Sequence, residues 1–355
     1  MIIIGDIASP SLESSVKIKK FFNQLDFSKD QAVLFNLEGL IVDNCSLADN
    51  KPILFNHSSI LDAFETFKNK IAALANNHTL DLPEYLDSTK RLLDANNYIS
   101  VGAGDVNDPD FEVISFKESG FEIYVINACW EFLLYHQNNK NPKRKVNSIK
   151  EGRILEIVKE IKKHSPRAKI VTYFHWSFDL EILPSPSYRV FAQDLIEAGV
   201  SLVVGCHSHC VQGGEKHKDG FIIYGLGNFY IPNGVYANGK LTFPKMSNLG
   251  WMLSWDIQKN TITNYWLDGS HNNLQILEID DFQNSENLKK YSPYSELDTK
   301  AYNAYFKQNR RKNFLNPVFH NYKKSISNSL KMNLLVLRAK LARKLAEMNL
   351  IKWQN

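Results

Sequence analysis

The stretch GCHSHC, Gly205 to Cys210, sets two imidazoles one residue apart between two thiols, directly after the apolar run SLVV. All four groups can bind metal. Structural zinc sites, however, space their ligands by about two to four residues, and neighbouring side chains converge poorly on one tetrahedral ion. In an extended His-x-His the two rings point to the same side, because side chains alternate with period two. His207 and His209 therefore suit two ligands at a strand end, on one ion or on two neighbouring ions. Two hydrogen-bonded core histidines are the alternative. Cys206 and Cys210 read as small buried thiols packed beside them.

Other ligating types recur in similar positions. Asp6 closes the run MIIIGD, after a glycine that permits close backbone approach. Glu38 closes AVLFNLE, with Asn36 two residues earlier on the same side; Asn77 and His78 close KIAALANNH, with Asp81 a turn later; His175 closes KIVTYFH. Taken singly, Asp6 caps a turn, Glu38 ends an exposed strand and Asn77 occupies a tight turn. Together they make a mixed oxygen and nitrogen set suited to Mn²⁺, Fe²⁺ or Zn²⁺. Two such ions sharing a carboxylate can clamp the attacking and leaving oxygens of a phosphoryl displacement.

The elements that must hold these groups are short apolar strands, the five above and FIIYGLGN ending at Asn228. Helical stretches at Pro83 to Ala95, Val146 to His164 and Tyr188 to Ala198 lie between them, the last ending at Gly199. Alternating strands and helices predict an α/β layered fold, in which ligands gather beyond the carboxyl ends of the strands. FEVISFKESGFEIYVINA predicts two strands around a Glu-Ser-Gly turn, and Glu131 to Lys150 a surface loop. The boundary falls near residue 268. Beyond it, 269–355 reads as irregular sequence followed by a helical tail.

With 355 residues, 44% hydrophobic and 23% charged, the chain has ample core material. From Lys323 onward there are eight Lys/Arg against Glu347 alone, a net +7, which leaves −3 of the overall +4 to the rest. A nucleic-acid-binding body is therefore not indicated. Four scattered cysteines, Cys45 among them, make no disulfide framework. No basic leader and no long apolar stretch is visible, so the expected compartment is the cytoplasm.

GD at Gly5-Asp6, FNLEG, LANNHTLD, FHWSFDLE, GCHSHCVQGGE and YGLGNF resemble, in order, the motifs of the poly-gamma-glutamate capsule-biosynthesis (CapA-type) proteins, within the calcineurin-like metallophosphoesterase superfamily. The likeness runs over roughly residues 1–265 and implies an α/β/β/α sandwich with a C-terminal helical extension and a di-metal site. It implies Asp6 on one ion, Glu38 bridging, Asn77, His175 and His207 on the second ion, and His209 returning to the first. His78 becomes the general acid or transition-state stabiliser, oriented by Asp81. Trp176 would wall the site and Glu181 hydrogen-bond a ligand, with a core role open for both; Arg189 and Asn228 would contact substrate or support ligands.

The sequence departs from the superfamily in having Ala8 where a ligand histidine is usual and Glu38 where aspartate is usual. The function this implies is a metal-dependent hydrolase, foremost a phosphoesterase. It would act on a phosphorylated or polymeric small-molecule or glycan substrate in capsule or surface-polymer biosynthesis. An amide hydrolase with the same site, or a non-catalytic polymer-binding scaffold, are the rivals. In the tail, Leu330, Leu334, Leu337, Leu341, Leu345 and Met348 form a stripe, with Trp353 beyond. This basic amphipathic helix either packs its leucines on the domain or on another copy, or lies peripherally on an anionic membrane.

Overall fold

The computed structural model describes residues 1–27, 30–43, 53–108, 111–135, 143–236, 239–311 and 316–348. Cys45, His136 and Trp353 lie outside these. Two sheets carry the fold. The first runs Gln275–Asp281, Thr261–Asp268, Leu249–Asp256, Ile2–Ile7, Ala32–Leu37, Asn69–Ala73, Tyr98–Val101, with Asn228–Tyr230 also paired to Ile2–Ile7. The second runs Val211–His217, Gly220–Leu226, Leu202–Cys206, Lys169–His175, Phe121–Cys129, Val113–Glu118.

Period-two alternation divides each strand between two cores. Ile3, Leu34 and Ile71 of the first sheet share one core with Val125, Val171, Val204 and Ile223 of the second. Their neighbours Ile2, Val33 and Phe35 group with Ile18, Phe21 and Phe22 of helix Leu12–Asn23. Likewise Ile126, Ile170 and Phe174 group with Ile154 and Val158 of helix Glu151–His164 and Phe191 and Leu195 of helix Pro186–Ala198. The result is the α/β/β/α arrangement: sheet against sheet, helices outside.

Several expectations shift. Val146 does not open a helix; with Arg144 and Lys145 it pairs with Ala103–Asp105, and the helix starts at Glu151. The stretch expected to be loop also holds the short helix Glu131–Leu134. Residues past 268 are not irregular: Gln275–Asp281 extends the first sheet, and helices Glu286–Tyr291 and Thr299–Asn309 follow. Tyr294, Tyr302 and Phe306, all buried, anchor that region to the body.

Ser325–Glu347 is a helix, as the leucine spacing predicts. Most of the striped leucines, however, do not pack on the domain. Leu330, Leu334, Leu337 and Leu341 are exposed, and Leu335 is the leucine that is buried.

Candidate metal centre

Strand register brings the groups together. In the first sheet Asp6 pairs with Asn36 on one side and Asn228 on the other, and Asn36 pairs with Ala73, just before Asn76 to His78. In the second, His175 pairs with Cys206, immediately before His207. The carboxyl ends of both sheets therefore meet at one edge. Gly5 is required there, since a Cβ would sit 2.1 Å from the Gly227 carbonyl oxygen.

His207 and His209 are not in extended backbone. The strand ends at Cys206, and both histidines have positive φ, 91° and 54°, in the turn that leads into Val211–His217. Both are non-glycine residues in a sparsely populated conformation, a kind of strain that concentrates at functional sites. Their rings nevertheless lie together, 5.9 Å apart, with His175 4.5 Å from His207.

Glu38 is the focus. It is wholly buried, and neither carboxylate oxygen has a hydrogen-bond partner. Around its Oε1 stand three imidazole Nε2 atoms, His78 at 3.8 Å and His175 and His209 each at 3.9 Å. Burial, then the charges of Asp6, Asp179 and Asp81, pushes its carboxyl well above the usual range. A buried carboxylate without donors is costly unless a cation offsets it.

The imidazoles are prepared for that role. Burial pulls His175 well below its usual value and His207 down to about 4, so both are neutral near pH 7, the form that ligates metal. Neither ring nitrogen of His207 makes a hydrogen bond in this buried site, and Nε2 faces the Asp179 carboxylate. Asn77 Oδ1 accepts from His175 Nε2 across 2.6 Å, which brings an amide oxygen and a ring nitrogen to the same place. His209 is oriented from behind by Asn228, its Nδ1 lying 2.8 Å from Asn228 Oδ1, which leaves Nε2 directed at Glu38. Two groups have ligand atoms within 4.8 Å of one another: Glu38 with His207 and His209, and Asp6 with His175 and Cys206. This donor set fits a divalent centre.

Asp6 is held from two sides, Oδ1 accepting from Asn36 Nδ2 (2.8 Å) and Oδ2 from the His207 backbone N–H (3.1 Å). Burial raises its carboxyl, which His209 opposes. Asn36 in turn accepts from Asn76, whose own Oδ1 accepts the His78 N–H. An amide chain thus links Asp6 to the His78 turn. His78 Nδ1 sits 2.7 Å from Asp81 Oδ2, an oriented pair at the partly open rim.

Three of the candidates are engaged elsewhere. Trp176 donates to the Tyr224 carbonyl and stacks on Tyr188 in the core. Glu181 accepts the backbone N–H groups of Ile182, Leu183 and Arg311, fixing the loop after His175. Arg189 is buried against Glu215, reaches the carbonyls of Ser295 and Leu297, and lies over the Tyr302 ring. Its geometry is that of a clamp on the chain.

Three further residues neighbour the site. Asp179 Oδ1 stands 3.3 Å from His207 Nε2, and its signal was an acid four residues after His175. Asn76, beside Asn77, supplies the amide link. Phe243 packs its ring 4.8 Å from His209, with no sequence signal to mark it.

Comparison with known proteins adds a family to this geometry. The profile of the family described as bacterial capsule synthesis protein PGA_cap matches residues 2–233. Capsule biosynthesis protein CapA of Bacillus anthracis is 35% identical over 65 residues, 18% of this chain and 16% of that protein. PGA biosynthesis protein CapA of Bacillus subtilis (strain 168) is 30% identical over 80 residues, 22% of this chain and 20% of that protein. The chain thus aligns with only a small part of either relative. Among solved structures, the calcineurin-like phosphoesterase YfkN from Bacillus subtilis is 11% identical, over 83% of this chain and 96% of that one, with a TM-score of 0.39.

Proposed function

The chain belongs to the bacterial capsule synthesis protein family, and from that membership we propose that it is a metal-dependent hydrolase, specifically a phosphoesterase. Its substrate would be a phosphorylated or polymeric glycan-type molecule in the assembly of a bacterial surface polymer. The observation that supports this most directly is Glu38, a buried, donor-free carboxylate faced by three imidazole nitrogens.

Glu38, Asn77, His175 and His207 would hold one divalent ion of the Mn, Fe or Zn class, and Asp6, Glu38 and His209 a second. Ions bound here supply Lewis acidity, which acidifies water and offsets charge developing on phosphoryl oxygens. The protein's own groups do the rest. His175 and His207, both neutral, need not discharge an imidazolium before ligating. Asn228 fixes the His209 ring, and Asn36 and the His207 N–H fix the Asp6 carboxylate. His78, held by Asp81 at the rim, donates a proton from Nε2 to the leaving oxygen, and Asp81 fixes the ring through Nδ1.

The test is a phosphoester panel run beside γ-glutamyl amides on the manganese-loaded protein and on His207→Ala and Glu38→Ala. Both variants are expected to keep their circular dichroism spectrum and to lose turnover by more than about a hundredfold. Undiminished turnover in both removes the reading. Cleavage of the amides alone moves it to amide hydrolysis.

A further inference from the structure

Exposed large apolar side chains gather on the C-terminal helix Ser325–Glu347, which is about 35 Å long at 1.5 Å per residue. Ile326, Leu330, Leu334, Leu337 and Leu341 are 81%, 67%, 49%, 65% and 57% exposed, and Met348 just beyond is 58% exposed. At about 100° per residue these six fall within an arc of about 80°. The opposite side holds the helix to the body. Leu335 is buried, Met332 packs against the core, Lys331 Nζ donates to the Val318 carbonyl, and Arg338 donates to Asn316. The helix is thus docked by one face and presents a continuous leucine stripe on the other.

Charge indicates what covers the stripe. Lys340 and Lys344 border it on one side, Lys331 and Arg338, tied by their head groups to Val318 and Asn316, lie beyond its other edge, and between residues 325 and 348 Glu347 is the one acid. Pairing with a second copy would crowd Lys340 and Lys344 with further basic groups along the seam, where helix pairs normally place opposite charges. An anionic surface accepts the leucines and neutralises the border. No helix among the described residues is long and apolar enough to cross a membrane, so the contact is with the surface. We propose that the C-terminal helix docks the protein on an anionic lipid bilayer, leucines in the acyl–headgroup boundary and lysines among the phosphates. The proposal does not depend on the hydrolase reading.

The experiment is flotation of the full chain with vesicles of phosphatidylcholine alone or mixed equally with phosphatidylglycerol, at low and high salt. Wild type is expected to float with the anionic vesicles, to stay behind with the neutral ones, and to be released by salt. Leu334→Glu/Leu337→Glu and, independently, Lys340→Glu/Lys344→Glu should each weaken binding by about tenfold or more, with near-ultraviolet circular dichroism unchanged. Three results would overturn the proposal. One is no binding to anionic vesicles. Another is equal binding to both kinds, unmoved by the lysine variant. The third is a stable dimer by light scattering that the leucine variant dissolves while wild type ignores vesicles.

Discussion

Glu38 holds a conflict that its surroundings leave unresolved in the protein alone. Its carboxylate is wholly buried, takes no hydrogen bond, and is surrounded by the further acids Asp6, Asp179 and Asp81. Nothing about chain folding calls for a charge there, so metal-free protein should be less stable for carrying it. Glu38→Gln keeps the shape and removes the charge. In chelator, urea unfolding near neutral pH should find this variant more stable than wild type by about 1–3 kcal/mol. The sign with pH follows from the raised folded-state pKa. The contribution of a neutral carboxyl is complete below the ordinary carboxylate range and is lost as pH rises through the folded value. The gap between variant and wild type should therefore close in acid and widen toward neutral pH. A wild type that is the more stable at neutral pH in chelator would show that Glu38 finds compensation without an ion.

At the scale of elements, what was legible depended on whether a pattern reports the backbone or its partner. Strand ends were legible because a buried strand is apolar throughout and its polar terminus stands out, as at Asp6, Glu38 and His175. The His207–His209 turn was not, because positive φ at a non-glycine residue has no compositional mark. Gln275–Asp281 was missed because it is a sheet edge with Leu277 and Ile279 turned outward, 57% and 53% exposed, which scrambles the inward alternation. The leucine spacing of the last helix located the helix correctly, but the same stripe serves packing and exposure alike. Arg189 shows the opposite failure: a lone basic residue after a helix start resembles a substrate contact, and its real partners are 26 and more than 100 residues away. Because it and Glu215 are both nearly inaccessible, Arg189→Ala leaves a buried carboxylate with Gln193 and Tyr224 as donors but no cation, and frees the segment around Ser295 and Leu297. A stability loss of about 3–5 kcal/mol is expected. Bound ion per chain should be unchanged under conditions where the variant is folded. Loss of ion without loss of stability would return Arg189 to the site.

For the whole molecule, the decisive feature is that the candidate ligand set is divided between the two sheets. Asp6, Glu38 and Asn77 come from the carboxyl edge of the first, and His175, His207 and His209 from that of the second. Between the sheets lies an apolar core that is non-directional and resists separation everywhere about equally. At the site edge the packing is replaced by buried polar groups, with Glu38 and the His207 ring making no hydrogen bond, so a cation bound here would tie the two sheets together. An ion that binds the folded chain and not the unfolded one stabilises it by mass action, about 4 kcal/mol when free ion exceeds Kd by about a thousandfold. The location of the effect distinguishes a centre between the sheets from ion binding elsewhere. Chelation should lower the melting temperature. It should also speed amide exchange at Glu38, Asn76 to His78 and Cys206 to Cys210 together, while mid-strand amides such as Val171 and Val203 change only in proportion to the global loss. Protection lost on one sheet alone would mean that the ion is held by that sheet and that the opposite ligands do not reach it.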